Sequence, residues 1–301
     1  MQNKFLCTFL LLSTSFLTLK AQSPTDGLMM PQHQICVLGN YTSSTWDEYW
    51  EGTNKRRNLN LGTFTASNVM AMANYGITDR LNVMAGLPYI KTKSDSYLKG
   101  QQGLQDLAAW LKYQPLSLAT GPGKLKGFVT GGFSIPVSNY VNDLLPLSIG
   151  LHCPTASLRA IFNYTLDFGL YSTVQAGHAW RGRTKIDRDS YLYNNKLYYT
   201  NEVPVPNIFD ASARIGFIKT RFQTELWIER IACVSGDDIR YNDAPFPTNK
   251  MTATAIGWFG KVFVTKQWAL QTSISQVLKG RNTGQAITWS AGTSYFFTVG
   301  E

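Results

Sequence analysis

The sequence predicts an all-β fold, a transmembrane barrel of the outer-membrane type with about 12 antiparallel strands. Three observations favour it. Beyond the N-terminus, the apolar residues do not collect into the runs of roughly 20 that a spanning helix needs. Many segments alternate apolar and polar residues, and long and short connections alternate along the chain. Hydrophobic residues make up 44% of the chain, which excludes an intrinsically disordered protein.

The N-terminus is the exception to the missing apolar runs. Lys4 precedes a short apolar stretch over 5–19, and the small residue Ala21 stands before Gln22. A positive flank, a short apolar region and a small residue at the cleavage point are typical of a secretory signal peptide. We therefore expect residues 1–21 to be a signal peptide. We expect 22–33 to be a short periplasmic or plug segment, and 34–301 to be the β-barrel domain.

Alternation is clearest in the segment 208–217. Successive side chains of a strand point to opposite faces, so this segment has one apolar and one polar face. The apolar face holds Phe209, Ala211, Ala213, Ile215 and Phe217, and the polar face holds Asp210, Ser212, Arg214 and Gly216. The same period of two recurs in 106–113, 222–229 and 287–297.

A secreted soluble β-protein would alternate in the same way, and the connections distinguish it from a membrane barrel. The connections 76–80, 165–169, 219–220 and 265–267 are tight, whereas most of the others are long and polar. Outer-membrane barrels have short periplasmic turns and longer external loops. Two connections depart from this pattern, because 114–124 is long for a turn and 278–284 is short for a loop. The predicted strands are 34–43, 59–75, 81–90, 104–113, 125–137, 154–164, 170–180, 207–218, 221–232, 251–264, 268–277 and 285–297.

Charged residues fall on the polar faces of these strands. Charge is costly in lipid, so it should point into the lumen and pair there. Two roles stay open for these charges: a structural network that holds the strands together, or a constriction that sorts solutes by charge. The candidate lumen-lining or substrate-contacting residues are Asp106, Lys112, Arg159, Asp210, Arg214, Glu225 and Glu229.

No catalytic or metal site is indicated by the sequence. The histidines His33, His152 and His178 lack the serine context of an outer-membrane phospholipase, and no two His or Cys residues have ligand-like spacing. We therefore predict no enzymatic activity, no cofactor and no metal. After the leader, an odd number of cysteines remains, any two of which could pair: Cys36, Cys153 and Cys233.

The formal net charge of +9 raises the question of acidic partners. Lys55-Arg56-Arg57 and Arg181-Gly182-Arg183 fall in predicted external loops, where they could contact the phosphates of lipopolysaccharide. A nucleic-acid partner is not expected for an exported barrel. The aromatic clusters 46–50 and 191–199 could meet a hydrophobic ligand or anchor the edge of the membrane.

Three stretches resemble a recurring outer-membrane family. They are 75–81 (YGITDRL) running on to 86–89 (GLPY), 103–107 (GLQDL) running on to 112–113 (KY), and 133–137 (FSIPV). They are similar to the transporter-like family named for the MetA pathway of phenol degradation. Those proteins are Gram-negative outer-membrane barrels, distantly similar to long-chain fatty-acid transporters. The match is best over 75–137, and this chain departs from the family pattern at Gln105 and Ser138, where glycine is common.

The resemblance implies an outer-membrane channel for passive uptake of small hydrophobic or aromatic solutes, surrounded by the lipid and lipopolysaccharide of the cell outer membrane. Its motifs are mostly turn and strand positions, so they support the fold more than the cargo. Two other functions stay open: a non-transporting structural barrel, and an outer-membrane hydrolase. The oligomeric state is left open by the sequence.

Overall fold

Twelve long antiparallel strands close into one barrel. The computed structural model describes residues 23–241 and 243–299, so the expected signal peptide at 1–21 lies outside the described residues. Each strand pairs with its chain neighbours, and β1 pairs with both the second and the last strand, which leaves no free edge. The predicted fold class is confirmed. The strands are β1 (Gln34–Trp46), β2 (Phe64–Thr78), β3 (Leu81–Ser94), β4 (Asp106–Thr120), β5 (Gly123–Pro136), β6 (Thr155–Leu166), β7 (Leu170–Arg181), β8 (Ile208–Ile218), β9 (Phe222–Cys233), β10 (Thr252–Phe263), β11 (Trp268–Arg281) and β12 (Ile287–Thr298).

Short turns and long loops lie at opposite ends of the barrel. The turns at the end where β1 begins are 79–80, 121–122, 167–169, 219–221 and 264–267. We call this the periplasmic end, because short turns face the periplasm in outer-membrane barrels. The other end, which we call the external end, carries short loop strands. Residues 48–51 pair with 54–57 and 283–284, 183–185 pair with 202–204, and 191–193 pair with 196–198.

The fourth connection differs from the sequence prediction. β4 continues to Thr120 and β5 begins at Gly123, so a short turn replaces the expected long connection over 114–124. The β4–β5 register shifts between Tyr113 and Leu116, which places Pro115 at an irregularity. Because proline has no N–H to donate to a ladder, bulges are where strands accommodate it. Because the bulge interrupts the alternation of apolar and polar residues, the sequence pattern did not predict the second half of β4.

The outer face of the barrel is apolar. Its exposed side chains include Val69, Leu158, Phe162, Leu226 and Leu270. Soluble proteins rarely expose a contiguous apolar surface of this kind, whereas a lipid-facing belt requires one. Among the described residues the structure contains no helix that is long and apolar enough to cross a membrane.

The interior combines polar side chains with a small apolar cluster near the periplasmic end. Met30, which precedes β1, packs with Cys36, Ala269 and Phe296, and Phe263 lies against them. Of the cysteines in the described part of the chain, Cys36, Cys153 and Cys233 are all free thiols, so no pair of them forms a disulfide.

Candidate functional site in the barrel lumen

Lys112 marks the centre of the candidate site. It lies on the inward face of β4, where Leu111 and Tyr113 on either side point outward. Its side chain is completely buried. The ammonium lies 5.2 Å from the centroid of the Phe128 ring on the neighbouring strand β5. This cation–aromatic contact leaves the three N–H donors of the ammonium free to bond elsewhere.

All three donors of Lys112 are used by the chain segment that precedes β1. We call residues 23–33 the N-terminal segment. Lys112 Nζ donates to Asp26 Oδ1 at 2.8 Å, to the Asp26 carbonyl at 2.6 Å and to the Ser23 carbonyl at 3.1 Å. The buried cation is therefore compensated by one carboxylate and two carbonyls from a single short stretch of chain.

Arg214 on β8 contacts the same segment from another part of the wall. Its Nη1 donates to Glu225 Oε1 at 3.0 Å, and its Nη2 donates to Thr25 Oγ1 at 3.3 Å. Its Nε is buried and has no hydrogen-bond partner among the described residues. Glu225 is fixed in turn by Tyr171, whose hydroxyl donates to Oε2 at 2.7 Å.

An indole ring lies beside Arg214 on the inner wall. Trp227 on β9 is paired in register with Arg214, and Gly257 on β10 is its partner on the other side. A Cβ at position 257 would stand 2.4 Å from Trp227 Cζ2, so only glycine at this position leaves room for the indole ring. The site thus combines two cations with aromatic surfaces.

Further contacts hold the N-terminal segment between Lys112 and β1. Asn82 Nδ2 donates to the Met30 carbonyl at 3.3 Å, and the Gln32 amide donates to Asp79 Oδ1 at 3.0 Å. A Cβ at Gly76 would stand 2.0 Å from the Pro31 carbonyl oxygen, so the close approach there requires glycine. The gap between this segment and the wall beside Arg214 and Asn163 is about 20 Å³, which is room for one water molecule.

A second charged group lies nearer the external end. Arg159 on β6 pairs with both carboxylate oxygens of Asp210 on β8, across the intervening strand β7. The residue of β7 between them is Gly177, where a Cβ would stand 3.1 Å from Asp210 Oδ1 and 3.2 Å from Arg159 Cζ. The missing side chain at 177 therefore permits the pair.

Of the remaining candidates, Glu229 lies between these two groups and interacts electrostatically with Arg214, Asp210 and Arg159. Asp106 stands apart at the start of β4, where its Oδ1 accepts from the Tyr140 hydroxyl at 2.9 Å. Burial, followed by the charge of Asp106, raises the pKa of Tyr140 in the loop 137–154. The seven sequence candidates thus fall into four sets. Lys112, Arg214 and Glu225 form the central group, and Arg159 and Asp210 form an ion pair nearer the external end. Glu229 lies between these two sets, and Asp106 lies at the edge of the loop 137–154.

Sequence reasoning missed the residues that meet Lys112 and Arg214. Ser23, Thr25 and Asp26 lie in a stretch whose only signal was its position before the first strand. Phe128 and Trp227 occupy inward positions, where the sequence prediction named only charged side chains. Alternation alone could not identify these residues. It predicts which face of a strand a side chain lies on, but not which other residues that side chain contacts.

The external loops are held by polar contacts of their own. Asp238 in the loop 234–251 accepts from Arg281 Nε at 2.7 Å and from Asn282 Nδ2 at 2.8 Å. The hydrogen bonds from Arg281, then those from Asn282, hold the pKa of Asp238 below its ordinary value. Nearby, a cavity of about 290 Å³ is lined by Tyr191, Phe246 and the Arg188–Asp143 ion pair, among others.

His152 is held in its loop by contacts to Ser138 and Tyr140. His152 Nε2 lies 3.2 Å from the Ser138 carbonyl, and its ring packs edge-on against Tyr140 at 4.8 Å. The described residues include no group of three or more His, Cys, Asp or Glu side chains placed to hold a metal ion.

A closed barrel with an apolar outer face and charged residues inside defines an outer-membrane β-barrel protein. No family model matches the sequence, and no curated protein matches it. The fold is similar to that of the COG4313 outer membrane channel from Pseudomonas putida F1, with a TM-score of 0.69 and 16% identity over 92% of this chain and 100% of that chain. At this identity the likeness shows the fold.

Two further solved structures are more distant. The NanC porin has a TM-score of 0.49 and 9% identity, over 87% of this chain and 98% of its own. The TodX deltaS2S3 mutant monoaromatic hydrocarbon channel has a TM-score of 0.46 and 9% identity, over 90% of this chain and 91% of its own.

Proposed function

We propose that the protein is an outer-membrane channel for passive uptake of small hydrophobic or aromatic solutes, closed in this structure by the N-terminal segment. The observation that carries the proposal is that the segment lies inside the barrel, where it bonds to Lys112 and Arg214, without forming part of the wall. The strand ladder closes through β1 and β12, and the segment is attached to the wall by one ion pair, several hydrogen bonds and the Met30 contact. Such an element can leave while the barrel stays intact.

The family resemblance supports the solute class, and the barrel supports the location. Solute would pass the external loops, where Tyr191 and Phe246 line a cavity, and reach the lumen at Arg159 and Asp210. The exposed apolar belt supports outer-membrane lipid as the partner of the outer face. Arg57 and Arg183 stay candidates for a lipopolysaccharide contact because both are exposed, whereas Lys55 and Arg56 already pair with Glu48 and Glu51.

A sealed structural barrel is the second candidate, and the narrow gap beside the segment favours it. It would have the same fold but a segment that never leaves. The expectation that the protein is not an enzyme is retained, and a lipid-hydrolysis assay on the purified protein tests it.

Single-channel recording in planar bilayers separates the channel from the sealed barrel. We expect the purified protein to show discrete openings between closed intervals. Asp26→Asn should raise the open fraction several-fold, because an amide holds the Lys112 ammonium less strongly than a carboxylate does. Asp167→Asn, the same change in an exposed periplasmic turn, should behave like the unmodified protein. If no folded variant carried a measurable current, the channel proposal would be overturned.

A further inference from the structure

The Lys112 ammonium takes its counter-charge from the N-terminal segment and not from the barrel wall. Glu225 faces Arg214 at 3.0 Å, whereas the only acid that pairs with Lys112 among the described residues is Asp26 of the N-terminal segment. A buried ammonium without a counter-charge is costly. Departure of the segment would remove this carboxylate and leave the Lys112 ammonium on the lumen wall, open to another anion.

Arg214 adds an unused donor to the same place. Its Nε is buried and unpartnered among the described residues, and the hydrogen bond from its Nη2 to Thr25 would also be lost with the segment. Guanidinium N–H groups match the two oxygens of a carboxylate. An anion held by Lys112 could thus gain hydrogen bonds from Arg214.

Aromatic side chains lie next to both cations. Phe128 lies under the Lys112 ammonium, Trp227 lies beside Arg214 in register, and the Tyr171 hydroxyl reaches Glu225. A flat apolar body attached to the anion would find aromatic faces to pack against. A small inorganic anion would leave these faces unused.

We infer that Lys112 and Arg214 form a binding site for a small aromatic carboxylate, which the Asp26 carboxylate occupies in this structure. The inference rests on the proposed channel function, because the solute and the N-terminal segment compete for one site and the solute gains access as the segment leaves. It narrows the solute class from aromatic molecules in general to those that carry a carboxylate.

Binding of 4-fluorobenzoate to the folded, detergent-solubilised protein, followed by ¹⁹F NMR, tests the inference. Asp26→Asn should bind it about ten-fold more tightly than the unmodified protein, because a competing occupant lowers apparent affinity by the fraction of sites that it fills. Asp26→Asn combined with Lys112→Gln should lose this gain. The double variant removes both charges together, so it does not leave a lone buried acid that would disturb folding.

Two ligand controls identify what the site recognises. 4-Fluorobenzyl alcohol, which has the same ring without the charge, should bind all three proteins equally weakly. Excess inorganic phosphate should displace 4-fluorobenzoate poorly, because it cannot use the aromatic faces. Equal binding of the acid and the alcohol, or an affinity that does not change with Asp26→Asn, would overturn the inference.

The binding readout is independent of conductance. If the channels open but bind 4-fluorobenzoate independently of these charges, the carboxylate site is wrong and the channel proposal is retained. If binding depends on these charges but the barrel never conducts, the channel proposal is wrong and the anion site at Lys112 and Arg214 is retained.

Discussion

Adjacent residues on β8 face different surroundings, and this sets their tolerance to substitution. Ile215 is 55% exposed on the outer face, whereas Arg214 points inward to Glu225 and Thr25. Ile215→Arg would place a charge in the lipid belt and should cost roughly 2–4 kcal/mol if the site is near the bilayer midplane. Folding into lipid vesicles, followed by urea unfolding, measures this cost.

Arg214→Ala should lower the stability of the barrel less than Ile215→Arg does, and it should change the ion selectivity more. It removes one positive charge from the lumen and frees Glu225, which keeps its hydrogen bond from Tyr171. We expect the reversal potential in a salt gradient to shift toward cations. If Ile215→Arg and Arg214→Ala were tolerated equally well in vesicles, the assigned faces of β8 would be wrong.

Alternation predicted the position of the inward charges but not their pairing. Arg214 and Glu225 lie on adjacent strands, so their proximity follows once the β8–β9 turn is located. Arg159 and Asp210 lie two strands apart, and their pairing depends on the absence of a side chain at Gly177. A local pattern carries no information about a partner two strands away.

At the scale of elements, the carboxylate of Asp238 is one of the groups that hold the loop 234–251 to the end of β11. The pKa of Asp238 is held low, so the stabilisation from this contact is present above the ordinary aspartate pKa of about 3.9 and is lost only as the pH falls through the lowered value. The loop should therefore stay docked at pH 4. The side chain is 37% exposed, so solvent screens part of the interaction.

Hydrogen exchange measured by mass spectrometry checks this contact. The Ile239 amide donates to Asn282 Oδ1 at 3.3 Å, so a peptide covering it reports docking. Asp238→Asn should speed exchange of that peptide at pH 7, whereas Asp243→Asn at a nearby exposed position should not. Protection that disappears between pH 6 and pH 4 in the unmodified protein would contradict the lowered pKa.

The elements themselves were predicted where the sequence pattern is regular. β8 and β12 follow from alternation alone, whereas the second half of β4 was missed because Pro115 interrupts the ladder. The sequence left two places for the N-terminal segment, the periplasm and a plug in the lumen, and could not decide between them. Its position depends on long-range contacts such as Asp26 to Lys112, which no local pattern shows.

At the scale of the whole molecule, the two ends of the barrel should differ in accessibility. Tyr97 is fully exposed in the loop 95–105, and Thr220 lies exposed in the turn between β8 and β9. In a Cys233→Ser background, a membrane-impermeant maleimide should label Tyr97→Cys on intact cells, and Thr220→Cys only after permeabilisation. The reverse result would invert the orientation.

We propose that the N-terminal segment closes the lumen and that the channel conducts when the segment leaves. A Cβ on Gly27 would lie 2.5 Å from the Cβ of Asn163 on β6. Disulfides need about 3.8 Å between these atoms, so a small shift of the segment would join Gly27→Cys to Asn163→Cys. Gly27→Cys alone is the matched control.

Current through single reconstituted channels, recorded before and after adding a reducing agent, then tests the claim. We predict that the oxidised double variant stays closed and that reduction starts openings, while the single variant does not respond. Equal current before and after reduction, with the cross-link verified on a gel, would contradict the account.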